Sequence, residues 1–114
     1  TSFASIPANE EGLNEGVKHS KFFIEIITLG IFIPIIEECI FRGTLIKVMF
    51  HKKQWLGVIV SIILFTLSHG PTNVTDYIIY GIPATIYSII YYKTQRLEIP
   101  IIIHILNNLL ATLY

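Results

Sequence analysis

The chain has 114 residues, 53% of them hydrophobic and only 14% charged, with a mean hydropathy of +0.65, too apolar for the surface of a soluble domain of this size. Eight basic residues balance eight acidic ones, which argues against a nucleic-acid partner and against a like-charged disordered tail. Cys39 is the only cysteine, so one chain can build neither a disulfide framework nor a multi-cysteine metal site.

Residues 1–20 are polar and mixed, lack the apolar core of a signal peptide, and read as a surface lead-in. Residues 21–50 are largely apolar, interrupted by Glu25, Glu37, Glu38, Arg42 and Lys47. A straight helix of that length would measure roughly 45 Å and overrun a hydrocarbon core of about 30 Å. Pro34 is expected to bend it, since proline lacks a backbone donor and crowds the preceding turn. The polar insert at 51–54 is followed by a second apolar stretch at 55–67, which the turn signal Ser68-His69-Gly70-Pro71 closes. Residues 74–92 form a third stretch, with Gly81 and Pro83 near its middle. After Lys93-Thr94-Gln95-Arg96, a fourth runs from 99 to 114 with Pro100 in its first turn. No internal repeat or low-complexity tract interrupts this order.

Ile-rich runs such as 101–103 also suit buried parallel strands, but the four apolar stretches are too long for strands and carry Lys, Arg, Tyr and Trp at their ends. The expected fold is therefore all-α, a multi-pass transmembrane bundle with about four membrane-embedded helices, set in the cell membrane among lipids. Thr1 in place of Met and an apolar run still open at Tyr114 lead us to expect residues 21–114 to be the core of a longer protein. Lys47, Lys52, Lys53, Lys93 and Arg96 fall on one face of alternating segments and Lys18 and Lys21 on the other, which places the loops at His51 and Thr94 in the cytoplasm.

Ionisable groups inside apolar helices cost about 2.5–3.5 kcal/mol each on insertion scales, so they point to function. Glu37, Glu38 and Arg42 lie within two helical turns. Glu38 and Arg42 are four apart with the acid first, the favourable order for an ion pair on one face. Glu37 points about 100° away, free to face a cavity as a general base. A purely neutralising Glu38–Arg42 clamp that fixes helix packing is the plain alternative. Further along, Phe65 and His69 end the second stretch, and His104 and Asn108 share one face of the fourth, from which both could donate to a single oxygen. A single histidine such as His69 is also a common packing residue, His19 and His51 read as surface residues, and Asn107 is expected to face elsewhere and bond between helices.

In order, Glu37-Glu38-x-x-x-Arg42 with Phe41-Arg42-Gly43, then Phe65-x-x-x-His69, then His104-x-x-x-Asn108, resemble the CAAX-protease and bacteriocin-processing (CPBP, or Abi) family of intramembrane endopeptidases over residues 22–114. The resemblance implies a water activated by Glu37 with His69, an oxyanion pocket from His104 and Asn108, supporting roles for Glu38, Arg42 and Phe65, no metal or other cofactor, and a membrane-associated peptide or protein as substrate. Peptide hydrolysis needs a base, a positioned water and donors for the developing oxyanion, and these residues supply them. Neither an HExxH zinc motif nor a GxSxG elbow is present. One feature sits awkwardly: His69 ends its segment while His104 lies early in its own, so simple alternation would put them at different depths. Two other functions stay open at this level. One is a non-catalytic bacteriocin-immunity protein; the other is a divalent-metal site built from Glu37, Glu38, His69 and His104.

Overall fold

The computed structural model describes the backbone of residues 8–113 and the side chains of 14–113, so residues 1–7 of the expected lead-in, and Tyr114 at the end of the fourth run, lie outside the described residues. Helix α1 (Ala8–Ile27) passes without a break into a π-helical segment (Thr28–Phe32), then α2 (Ile33–Glu38), then a second π-helical segment (Cys39–Met49). Three helices follow: α3 (Gln54–Ser68), α4 (Val74–Thr94) and α5 (Glu98–Leu113). The chain is all-α over the described residues, with principal extents of 65 × 30 × 21 Å.

Proline chemistry explains the first change of register. The Ile33 amide bonds five residues back, to the Thr28 carbonyl, and Pro34 has no amide to offer the Leu29 carbonyl. The helix widens at this point and continues, with Pro34 buried in the first turn of α2. Helix α4 starts on Asn73, whose side chain accepts from the Asp76 amide at 2.9 Å, while Asp76 in turn accepts from the Thr72 amide and hydroxyl. It ends on Gln95 in the left-handed conformation. Gly70, at φ +62°, turns the chain after α3 where a Cβ would be strained.

The core centres on Ile46, Val58 and Tyr91, with Ile62 and Leu97 packed against it. Gly57 makes that packing possible, because a Cβ there would stand 2.8 Å from Phe50 Cβ and 3.2 Å from Ile46 Cα. Ser61 then ties α3 to the second π segment by donating to the Phe41 carbonyl at 2.9 Å. The burial pattern is inverted relative to a water-soluble domain: Glu38, Arg42, Ser61, Ser88 and His104 are buried while Ile36, Ile78, Ile82 and Leu106 are more than half exposed.

Among the described residues, no helix is long and apolar enough to cross a membrane. The all-helical part of the expectation holds over the described residues, and the four membrane spans are not confirmed. Register changes divide the first apolar run, and the 15 residues of α3 and 16 of α5 reach only about 22–24 Å at about 1.5 Å per residue.

Candidate active site

The two adjacent glutamates of α2 face different surroundings, as their offset of about 100° requires. Glu37 lines an open cavity of about 250 Å³ between α2, α3, α4 and α5. Its Oε2 lies 3.3 Å from His69 Nε2, with the two side chains 18% and 29% exposed. His69 stands just past the last residue of α3, where helical carbonyls run out of amide partners. The backbone amide of His69 bonds to Thr66, which leaves the Phe65 carbonyl to other donors. His69 Nδ1 takes it at 2.7 Å and the Ser68 hydroxyl at 2.8 Å. A carbonyl only accepts, so Nδ1 carries a hydrogen, and Nε2 is the nitrogen turned toward Glu37.

Glu38 is fully buried and serves two partners with one oxygen: its Oε2 accepts from Arg42 Nη1 at 3.3 Å and from His104 Nδ1 at 2.7 Å. Arg42, equally buried, donates Nη2 to the Ala84 carbonyl at 2.7 Å and lies over the rings of Phe65 and Tyr87, at 4.9 and 5.6 Å. The expected Glu38–Arg42 pair is present, and it is more than a clamp within one helix, because it holds α2 to α4 and α5 at once. With Nδ1 committed to Glu38, His104 presents Nε2 to the cavity, where it donates when the ring carries both protons and accepts when it carries one.

Asn108 also lines the cavity. One hydrogen of its amide goes to the Leu29 carbonyl at 3.1 Å, which leaves the amide a second hydrogen to donate. Asn107, expected to face elsewhere, borders the same cavity, so a step of about 100° around α5 does not take it out of the lining. His69 and His104 line this cavity together despite their different places in their segments, because α3 stops short and brings its end to the level of His104. His19 and His51 lie on exposed positions. The ligands considered for a metal separate into two pairs, Glu37 with His69 and Glu38 with His104, and no group of three or more His, Cys, Asp or Glu among the described residues is placed to hold one ion.

Sequence reasoning passed over two aromatic residues. Tyr80 stacks on His69 at 4.8 Å between centroids and Tyr87 on His104 at 4.7 Å. Both were read as part of an apolar run.

Residues 19–110, which contain every residue of the cavity floor named above, match the model of the "Type II CAAX prenyl endopeptidase Rce1-like" family. The chain belongs to this Rce1-like family. The resemblance drawn from its three motifs is thereby borne out. Among curated proteins it is similar to "Membrane-embedded CAAX protease MroQ" of Staphylococcus aureus (strain USA300), 31% identical over 94 residues, covering 76% of this chain and 35% of that one. It is also similar to "UPF0177 protein YvdC" of Lactococcus lactis subsp. lactis (strain IL1403), 25% identical over 105 residues, covering 90% of this chain and 39% of that one. The chain thus spans well under half the length of these relatives. No solved structure matches it.

Proposed function

We propose that this Rce1-like chain carries the catalytic centre of a membrane-embedded, metal-free endopeptidase, with Glu37 and His69 activating a water and His104 and Asn108 holding the oxyanion. The observation that carries this reading is the Glu37–His69 pair at 3.3 Å, its tautomer set by the Phe65 carbonyl, at the wall of a cavity that His104 and Asn108 also line.

In this mechanism Glu37 takes a proton from water as its oxygen adds to the scissile carbonyl. The negative charge that develops on the carbonyl oxygen is met by the free hydrogen of Asn108 and by His104 Nε2 in its protonated form. When the carbon–nitrogen bond breaks, the Glu37–His69 pair returns a proton to the leaving amine, leaving a new carboxyl and amine terminus. Glu38 and Arg42 act behind this set: they orient His104, and together they put no net charge into the core. Exposed Ile36, Ile78, Ile82 and Leu106 around a buried polar interior suit apolar surroundings, in keeping with a membrane-presented substrate. A CAAX-type peptide fits the family description.

Full-length protein in liposomes, given a membrane-anchored reporter peptide, tests this. Cleavage should persist in chelator and disappear in Glu37→Gln, a variant that keeps shape and hydrogen bonding but loses the base. Undiminished cleavage by Glu37→Gln would overturn the assignment, and activity lost to chelator and regained with zinc would favour a metal site. Binding of a bacteriocin with no cleavage would favour an immunity role.

A further inference from the structure

Both site histidines have one face covered by a tyrosine from the same helix, and that helix contributes none of the three sequence motifs. Tyr80 lies against His69 with centroids 4.8 Å apart and planes at 27°; Tyr87 lies against His104 at 4.7 Å and 20°. The tyrosines are seven residues apart on α4, two turns along one face and about 10 Å in rise. Pro83 stands between them in the cavity wall. The histidines come from elements that meet only in the folded protein, the end of α3 and the first half of α5: His69 is otherwise held through Nδ1 by the Phe65 carbonyl, through Nε2 by Glu37 and by the Phe65 ring at 4.5 Å, and His104 through Nδ1 by Glu38, with the Phe65 ring edge-on at 6.1 Å. Contacts at the ring nitrogens fix where the edge of an imidazole lies; a ring stacked on its face sets the plane. We propose that Tyr80 and Tyr87 are positioning residues that set the ring planes of His69 and His104, making α4 the ruler for the distance between the base and the oxyanion pocket.

The inference rests on the reading of the site given above, but its test separates the two. Tyr80 is the cleaner probe, because Tyr87 also lies beneath Arg42. In full-length protein, Tyr80→Leu should lower kcat about three- to tenfold, the range expected from losing one aromatic stack, with KM little changed. Tyr80→Phe keeps the ring and should restore turnover. Independently of turnover, the ring protons of His69 in histidine-labelled protein should move downfield in Tyr80→Leu, since they lose the tyrosine ring current, while those of His104 stay in place; Tyr87→Leu should do the reverse. Should Glu37→Gln still cleave while these shifts appear as expected, the catalytic assignment fails and the stacking stands. A Tyr80→Phe as impaired as Tyr80→Leu would assign the effect to the hydroxyl and overturn the proposal. Unmoved His69 resonances in Tyr80→Leu, or a kcat equal to that of the unaltered protein, would overturn it as well.

Discussion

Asn108 donates its side-chain amide to the backbone carbonyl of Leu29, 79 residues earlier in the chain, at 3.1 Å. That acceptor is available because the Ile33 amide is spent on Thr28 and Pro34 has none to give. Gly30 lets the helices approach closely enough, since a Cβ there would run into the Leu109 side chain. Asn108 therefore ties α5 to the first helical run, and the proposed mechanism gives it a second duty toward substrate.

The two duties separate in a double mutant. Asn108→Ala should cost about 1 kcal/mol of stability by leaving the Leu29 carbonyl short of a donor, and about 10²–10³ in rate by removing an oxyanion donor. In a Pro34→Ala background, where residue 34 regains an amide for Leu29, the stability cost should shrink and the rate cost remain. Thermal unfolding in detergent alongside single-turnover kinetics reads both, and stability costs of equal size in the two backgrounds would contradict the assignment of the carbonyl to Pro34.

The glutamates should part company on folding. Glu38→Ala or Arg42→Ala strands a buried charge and should cost roughly 3–5 kcal/mol, visible as a collapse of folded yield on size-exclusion chromatography. Glu37→Ala, at the cavity wall, should leave the yield near normal. Equal loss across the three variants would remove the distinction between the inward-facing pair and the outward-facing base.

Gly57→Ala should destabilise the junction of α3 with the second π segment, because the added methyl meets Ile46 Cα at 3.2 Å as well as Phe50 Cβ at 2.8 Å. Backbone cannot step aside as a side-chain tip can, so overpacking of about 1–3 kcal/mol is expected. A lowered melting temperature with unchanged KM in the surviving protein is the expected result.

Orientation can be read with an impermeant thiol reagent. The Gln95 side chain donates to that of Gln54, so the loop that carries Lys52 and Lys53 lies beside the end of α4 with Lys93 and the turn with Arg96, at one end of the bundle. With exposed Cys39 replaced by Ala, a cysteine at Lys53 should react only after cells are opened. Labelling of intact cells would reverse the assignment of this end to the cytoplasm.

Local spacing made part of the site legible. Glu38 and Arg42 pair because a four-residue step leaves them on one helix face, and the direction of Glu37 follows from the same geometry. The bond from His104 to Glu38 was out of reach, since it depends on how α5 packs against α2. The wide helical registers at Thr28–Phe32 and Cys39–Met49 were also hidden: an almost wholly apolar run carries little periodicity with which to tell one pitch from another. Tyr80 and Tyr87 were illegible for a related reason, as aromatic residues in such a run look like core or lipid-facing surface until the histidines are seen beside them. Asn107 was expected to face elsewhere, yet it lines the same cavity as its neighbour Asn108, which a step of about 100° around one helix does not reveal.

The order in which the site's bonds can form follows from the chain itself. Glu38 and Arg42 emerge from the ribosome four residues apart and can neutralise one another inside a single nascent helix, before α4 and α5 are made. His104 follows Glu38 by 66 residues, and Asn108 follows Leu29 by 79. The growing chain thus shields its most costly charges early, while the cavity lacks its α5 wall until the last of these helices arrives. A half-made copy would hold Glu37 and no closed cavity around it.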